Sequence, residues 1–97
     1  MVKEFRQELL EFVLDKIDIV TVVSEFTKLR PAGFYLKGNC PLCKEKKEYF
    51  TVHPGNKIYF CFDCQSSGDV IKFISDLKEL NREDAAIYLI KKEISVQ

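Results

Sequence analysis

The sequence predicts an α+β domain in which a cysteine-bearing ribbon sits on a small antiparallel β-sheet flanked by N- and C-terminal helices. Three observations carry that prediction. The first is a pair of C-x-x-C motifs, Cys40-Pro41-Leu42-Cys43 and Cys61-Phe62-Asp63-Cys64, seventeen residues apart and holding all 4 cysteines of the 97-residue chain. Each motif folds as a tight knuckle with two thiolates on one side, and two knuckles joined by a hairpin offer four tetrahedral positions, the spacing of a structural zinc ribbon. The second is a change of period, from helical spacing of apolar residues at both ends to strand-like runs in the middle. The third is turn chemistry between those runs, at Pro31-Ala32-Gly33, Gly38-Asn39 and Pro54-Gly55-Asn56.

Each element follows in order. Phe5, Leu9, Phe12, Val13 and Ile17 lie on one face of a first helix, with Glu4, Glu8, Glu11, Asp15 and Lys16 on the other. Asp18 caps a second, shorter helix whose apolar face is Ile19, Val20, Val22, Val23 and Phe26. Leu29 to Gly33 reads as a strand end and turn, Phe34 to Lys37 as a strand, and Gly38-Asn39 as the loop entering the first knuckle. Tyr49 to His53 and Ile58 to Phe62 are two further strands, joined by a turn whose Pro54-Gly55 pair suits positions i+1 and i+2 of type II. That hairpin delivers the second knuckle. Beyond it, Ser67 or Asp69 caps a helix with Val70, Ile71, Phe73, Ile74 and Leu77 inward. Asn81 caps the last helix, from Arg82 to about Lys92, which buries Ala85, Ala86, Leu89 and Ile90. Residues 1–97 form a single domain, with no low-complexity linker and no repeat beyond the two knuckles.

The cysteines have competing uses. The segment Met1 to Glu8 is charged and lacks the apolar core of a signal peptide, and no stretch reaches the roughly 18 apolar residues of a membrane span. The expected location is cytoplasmic, without membrane association, where disulfides rarely persist. A redox pair calls for one C-x-x-C at a helix start within a βαβ pattern, whereas here two pairs lie in a strand-rich middle. One structural Zn²⁺ held by Cys40, Cys43, Cys61 and Cys64 is therefore the expected cofactor. Four thiolates leave no position for water, so the metal is a staple and not a catalyst. An apolar core of this size gives modest stability, and a bound zinc adds about 10–16 kcal/mol of apparent binding free energy to folding.

The zero formal charge hides an uneven distribution. Residues 28–60 carry seven basic and two acidic side chains, while the segments before and after have net charges of −3 and −2. Lys28, Arg30, Lys37, Lys44, Lys46, Lys47 and Lys57 are interleaved with Phe34, Tyr35, Tyr49, Phe50, Tyr59 and Phe60. Positive charge with interspersed rings is what single-strand binding needs. Lysines that offset the net −2 charge of a tetrathiolate zinc, with core aromatics on strands, fit the composition equally well.

A longer set of residues separates these readings. Asp18-Ile19-Val20, Gly33, Gly38-Asn39-Cys40-Pro41, Glu45-Lys46, Phe50-Thr51-Val52, Lys57, Tyr59, Cys61-Phe62-x-Cys64, Gly68-Asp69, Phe73 and Glu83-x-Ala85-Ala86 occur in one order and spacing. In this the chain resembles the N-terminal zinc-binding domain of bacterial DnaG-type DNA primases, from about Phe5 to Lys91. The resemblance implies a zinc ribbon that helps a separate RNA polymerase domain engage single-stranded template and begin a primer. It implies metal ligation by the four cysteines and a template-facing surface near Lys46, Lys57, Tyr59 and Phe62. The basic belt adds Lys28, Arg30, Lys37, Lys44 and Lys47. The implied partners are single-stranded DNA, the primase RNA polymerase domain and the replicative helicase.

Three departures mark this chain. Cys43 stands where the family usually has His, which makes the site one charge more negative, with Lys44 and Lys47 available to compensate. Lys47-Glu48-Tyr49 replaces Thr-Pro-Ser, and Asp63 and Gln65 replace the glycines flanking the last cysteine. Asp63 repels phosphate wherever it faces one, which shifts the contact surface.

Primer synthesis itself is not expected of this segment, since phosphoryl transfer needs carboxylates gathered around magnesium. Glu83 and Asp84 sit in the first turn of a predicted helix, where they meet its dipole. His53, beside the Pro-Gly turn, reads as a surface residue, and no serine has an interpretable histidine partner for hydrolysis. The competing function is a zinc-ribbon module, of the kind mobile elements and phages encode, that docks on a protein and never touches nucleic acid.

Overall fold

The structure, a computed structural model, describes residues 2–43 and 48–95, with side chains described over 6–43 and 48–93. Helices α1 (Val2–Lys16) and α2 (Ile19–Ser24) precede five strands, β1 (Arg30–Ala32), β2 (Tyr35–Gly38), β3 (Phe50–His53), β4 (Ile58–Cys61) and β5 (Ser67–Gly68). Helices α3 (Val70–Lys78) and α4 (Arg82–Ser95) follow. The strands form one sheet in the order β1-β2-β3-β4-β5, every neighbouring pair antiparallel. The expected α+β class, with a small antiparallel sheet between terminal helices, is the observed one.

Capping explains where the helices begin. The Asp18 carboxylate accepts from the Thr21 amide at 3.0 Å and the Thr21 hydroxyl at 2.8 Å, so the chain breaks between α1 and α2 and restarts. Asp69 accepts from the Lys72 amide at 2.8 Å at the start of α3, and Asn81 from the Asp84 amide at 2.8 Å at the start of α4. Of the two expected caps for α3, Asp69 is used, while Ser67 pairs with Phe60 in the sheet. An ion pair of 3.1 Å between Arg82 and Asp69 ties the two helix starts together.

Strand alternation then sorts the sheet into two faces. Leu36, Val52 and Tyr59 form one cross-strand row, and Phe50 and Cys61 extend the same face. That inner face packs on α3, whose Phe73 lies 5.5 Å from Tyr59 and 6.0 Å from both Phe50 and Phe26, centroid to centroid. Behind α3, the fully buried Ala85 and Ala86 let α4 approach closely, and Val13 of α1 closes the core. The outer face carries a second row, Arg30, Lys37, Thr51, Phe60 and Ser67, one residue from each strand. No described helix is long and apolar enough to cross a membrane.

Two local expectations are corrected. The β3–β4 connection is not a type II turn: the left-handed residue is Lys57, at φ 60°, and not Gly55. The Lys57 amide donates to the His53 carbonyl at 2.8 Å, closing a four-residue loop in which Pro54 presets the first bend. The second correction is β5, since Ser67-Gly68 was expected in a segment leading to a helix. At two residues it is too short to show alternation, and it forms because β4 offers a free edge.

Gly38, at the entrance to the first knuckle, is required by close approach. A Cβ there would stand 2.5 Å from the Lys28 carbonyl oxygen, a backbone atom that cannot swing aside. Gly38→Ala is expected to destabilise the fold by about 1–3 kcal/mol, read as a lowered urea midpoint with an unchanged slope.

Candidate metal centre and the adjoining sheet face

The cysteines come from two knuckles at the same end of the sheet. The first follows β2, where the Thr27 hydroxyl donates to the Asn39 carbonyl at 2.7 Å and anchors the approach. The second follows β4, where the Phe62 amide donates to the Tyr49 carbonyl at 2.9 Å and the Gln65 amide to the Cys61 carbonyl at 2.8 Å. Within each knuckle the last amide donates to the first sulfur, Cys43 N–H to Cys40 Sγ and Cys64 N–H to Cys61 Sγ, both at 3.5 Å.

All four sulfurs lie within 4.8 Å of one another. Cys40 and Cys64 are 3.9 Å apart and Cys43 and Cys61 3.8 Å. A tetrahedron with metal–sulfur bonds of about 2.3 Å has edges of about 3.8 Å, so the cluster has the dimensions that zinc imposes. A disulfide needs sulfurs about 2.05 Å apart, and all four cysteines are free. The donor set suits one structural zinc, with Cys43 closing the tetrahedron.

Environment divides the ligands. Burial pushes the Cys40 thiol well above its ordinary value, opposed by hydrogen bonds from the Cys43 and Leu42 amides. At the exposed Cys64, burial also acts upward, but hydrogen bonds from the hydroxyl and amide of Ser66, with those of Cys61 and Cys43, together outweigh it and bring the thiol to about 7. Those bonds favour the thiolate that a metal requires. Asp63 turns its carboxylate toward Cys43, with Oδ2 3.8 Å from the sulfur. It adds negative charge to the rim of the metal site.

The residues proposed from sequence as nucleic-acid contacts scatter. Lys37 and Arg30 sit on the outer row, but Glu48 holds the Arg30 guanidinium at 2.5–3.1 Å through Nη2 and Nε, which offsets its charge. Lys28 is exposed just before β1. Phe62 is 65 % exposed beside the second knuckle, with its ring edge-on to Phe60 at 4.7 Å. Lys57 lies at the opposite end of β4 from Cys61, beside a cavity lined by Asp15, Asp18 and Pro54. Lys44, Lys46 and Lys47 lie outside the described residues.

Tyr59 is a correction. It is 0 % exposed, on the inner face, stacked on Phe50 at 5.6 Å, and cannot reach a ligand. Its hydroxyl has no hydrogen-bond partner among the described residues, and burial raises its pKa. The signal was in the alternation: Tyr59 and Cys61 are two apart and share a face, so Phe60 is the residue that points outward. Tyr35, counted from sequence among the rings of the basic segment, and His53, read as a surface residue, both lie on the outer face. Their rings stack at 5.3 Å on the outer face, and His53 Nε2 lies 3.2 Å from the Thr51 hydroxyl, apart from the cysteine cluster.

A four-thiolate site closed by two knuckles on an antiparallel sheet defines a structural zinc ribbon. Residues 5–97 match the CHC2 zinc finger family of DnaG primases, and the chain belongs to that family. It is 41 % identical over 86 residues to a DNA primase of Thermotoga maritima, covering 89 % of this chain and 15 % of that protein. A DNA primase of Borreliella burgdorferi is 40 % identical over 77 residues, covering 79 % and 15 %. The chain thus spans about 15 % of the length of these relatives. Among solved structures, a chain of the Aquifex aeolicus primase containing the zinc-binding and RNA polymerase domains superposes with a TM-score of 0.80 at 34 % identity. That match covers 87 % of this chain and 21 % of the Aquifex chain. The matched part is the zinc finger, and the RNA polymerase domain of the Aquifex protein is a separate unit.

Proposed function

We propose that the zinc-loaded domain engages single-stranded DNA template with the outer face of its sheet and so assists primer synthesis by a separate RNA polymerase domain. The observation that carries this reading is the outer face itself: Lys37 and Arg30 lie in register with Phe60, and Phe62 extends the aromatic surface to the metal knuckle. Lys37 is the cation of that row, since Glu48 offsets the charge of Arg30. Cations there follow the phosphates while rings take the bases, a pairing that tolerates any sequence. Phe62 lies two residues beyond Phe60 at the end of β4, so the two rings meet on one side of the chain. Lys28, Lys44, Lys46 and Lys47 supply further positive charge in the basic segment, and Tyr59 supports the face from within. The polymerase domain and the replicative helicase are the protein partners, in the cytoplasm where DNA replication occurs.

Fluorescence anisotropy of a labelled single strand tests the reading. Phe60→Ala is expected to weaken binding by about 1–3 kcal/mol, and Lys37→Ala to lower the salt slope by roughly 0.7, the value for one phosphate contact on a single strand. Wild-type affinity and salt slope in both folded variants would remove the outer face as the contact surface.

A further inference from the structure

The outer face has a second aromatic group away from the metal. Tyr35 and His53 lie stacked, 5.3 Å between centroids and 30° between planes, in the row adjacent to the one that holds Phe60. Moving from Thr51 to His53 along β3 advances about 6.6 Å, away from the cysteines and toward the β1–β2 turn. That turn has two residues, Gly33 and Phe34, with Gly33 at φ 79°. Glycine first with positive φ is the type II′ hairpin, which holds the next side chain at the tip. Phe34 is 101 % exposed, and no described side chain packs on it. Its ring is free to turn toward a ligand lying on Tyr35 and His53.

We propose that Tyr35, His53 and Phe34 form a second base-stacking station for the same single strand, an inference that rests on the reading of the outer face as the template track. The first station is Phe60 with Phe62 at the knuckle; Thr51 lies between the two, and Lys37 borders the second station, two residues from Tyr35 on β2. The occupant is an unpaired nucleobase. Every base offers a π-face to an aromatic ring, and Lys37, two residues from Tyr35 on the same face of β2, offers positive charge to the phosphates. A strand crossing from β4 to β2 spans two strand spacings, about 9.6 Å, well beyond the single step of ~3.4 Å in a stacked dinucleotide, so both stations are reached only by a strand of several nucleotides.

The test uses the zinc-loaded full chain with a short strand, the thymidine dinucleotide, and a long one, an oligothymidylate of about 12 nucleotides within the range that such sheets accommodate. The chain has no tryptophan, so Phe34→Trp introduces a single indole at the tip. Its fluorescence is expected to be quenched by the long strand, with the midpoint that anisotropy of the labelled strand gives. Phe34→Ala, which removes no packing contact, is expected to weaken long-strand binding roughly fivefold or more, the low end of base–aromatic stacking, and to leave short-strand binding unchanged. Long-strand binding without quenching, and with Phe34→Ala equal to wild type, would overturn the second station while the outer-face reading stands. Absence of single-strand binding by the wild-type chain would overturn both.

Discussion

Stripping the zinc with a strong chelator is expected to abolish the cooperative unfolding transition of this chain. The strands are two to four residues long, and the sheet owes its closed end to sulfurs brought from β2 and β4. Four thiolates crowded within 4.8 Å repel one another without a cation, and burial of Cys40 already disfavours its charged form. The apparent binding free energy of a structural zinc, about 10–16 kcal/mol, matches or exceeds the stability of a typical domain, about 5–15 kcal/mol. Loss of the metal therefore removes as much free energy as the fold has. Circular dichroism of a verified metal-free sample checks this, and an intact sigmoidal transition would contradict the stapling role.

Tyr59→Ala is expected to cost about 3–5 kcal/mol of stability, the range for removing a large aromatic from a packed core. Its ring contacts Phe50 and Phe73 at the point where the inner face meets α3. Tyr59→Phe is expected to be neutral or mildly stabilising, because it keeps the ring and removes a buried hydroxyl that has no partner among the described residues. Urea denaturation of the two variants separates the contributions of ring and hydroxyl. A Tyr59→Ala protein as stable as wild type would contradict the inward placement.

The metal site was legible because ligand spacing is local: two knuckles and a hairpin length suffice to specify four converging thiolates. The helix starts were legible for the same reason, since Asp18, Asp69 and Asn81 act on amides three residues away. What failed depended on which side of the sheet a residue takes. Tyr59 looked like a contact residue by its position in a basic, aromatic belt, but a strand assigns faces by parity, and Cys61 had already committed odd numbers to the interior. Lys57 looked near the metal in sequence and is held instead at the far end of the hairpin. Arg30 looked like a free cation, and its pairing with Glu48 joins residues eighteen apart across two strands. β5 was invisible because a two-residue strand has no pattern of its own.

The most direct test of the central claim is amide chemical-shift mapping of the zinc-loaded chain by NMR as an unlabelled single strand is added. The account predicts saturable shifts concentrated on Lys37, Thr51, Phe60 and Phe62, with Val13, Ala85 and Leu89 unmoved on the helical side. Shifts clustered instead around Phe12, Ile17 and Ile90 between α1 and α4, or none at all at concentrations where the metal site is intact, would contradict it.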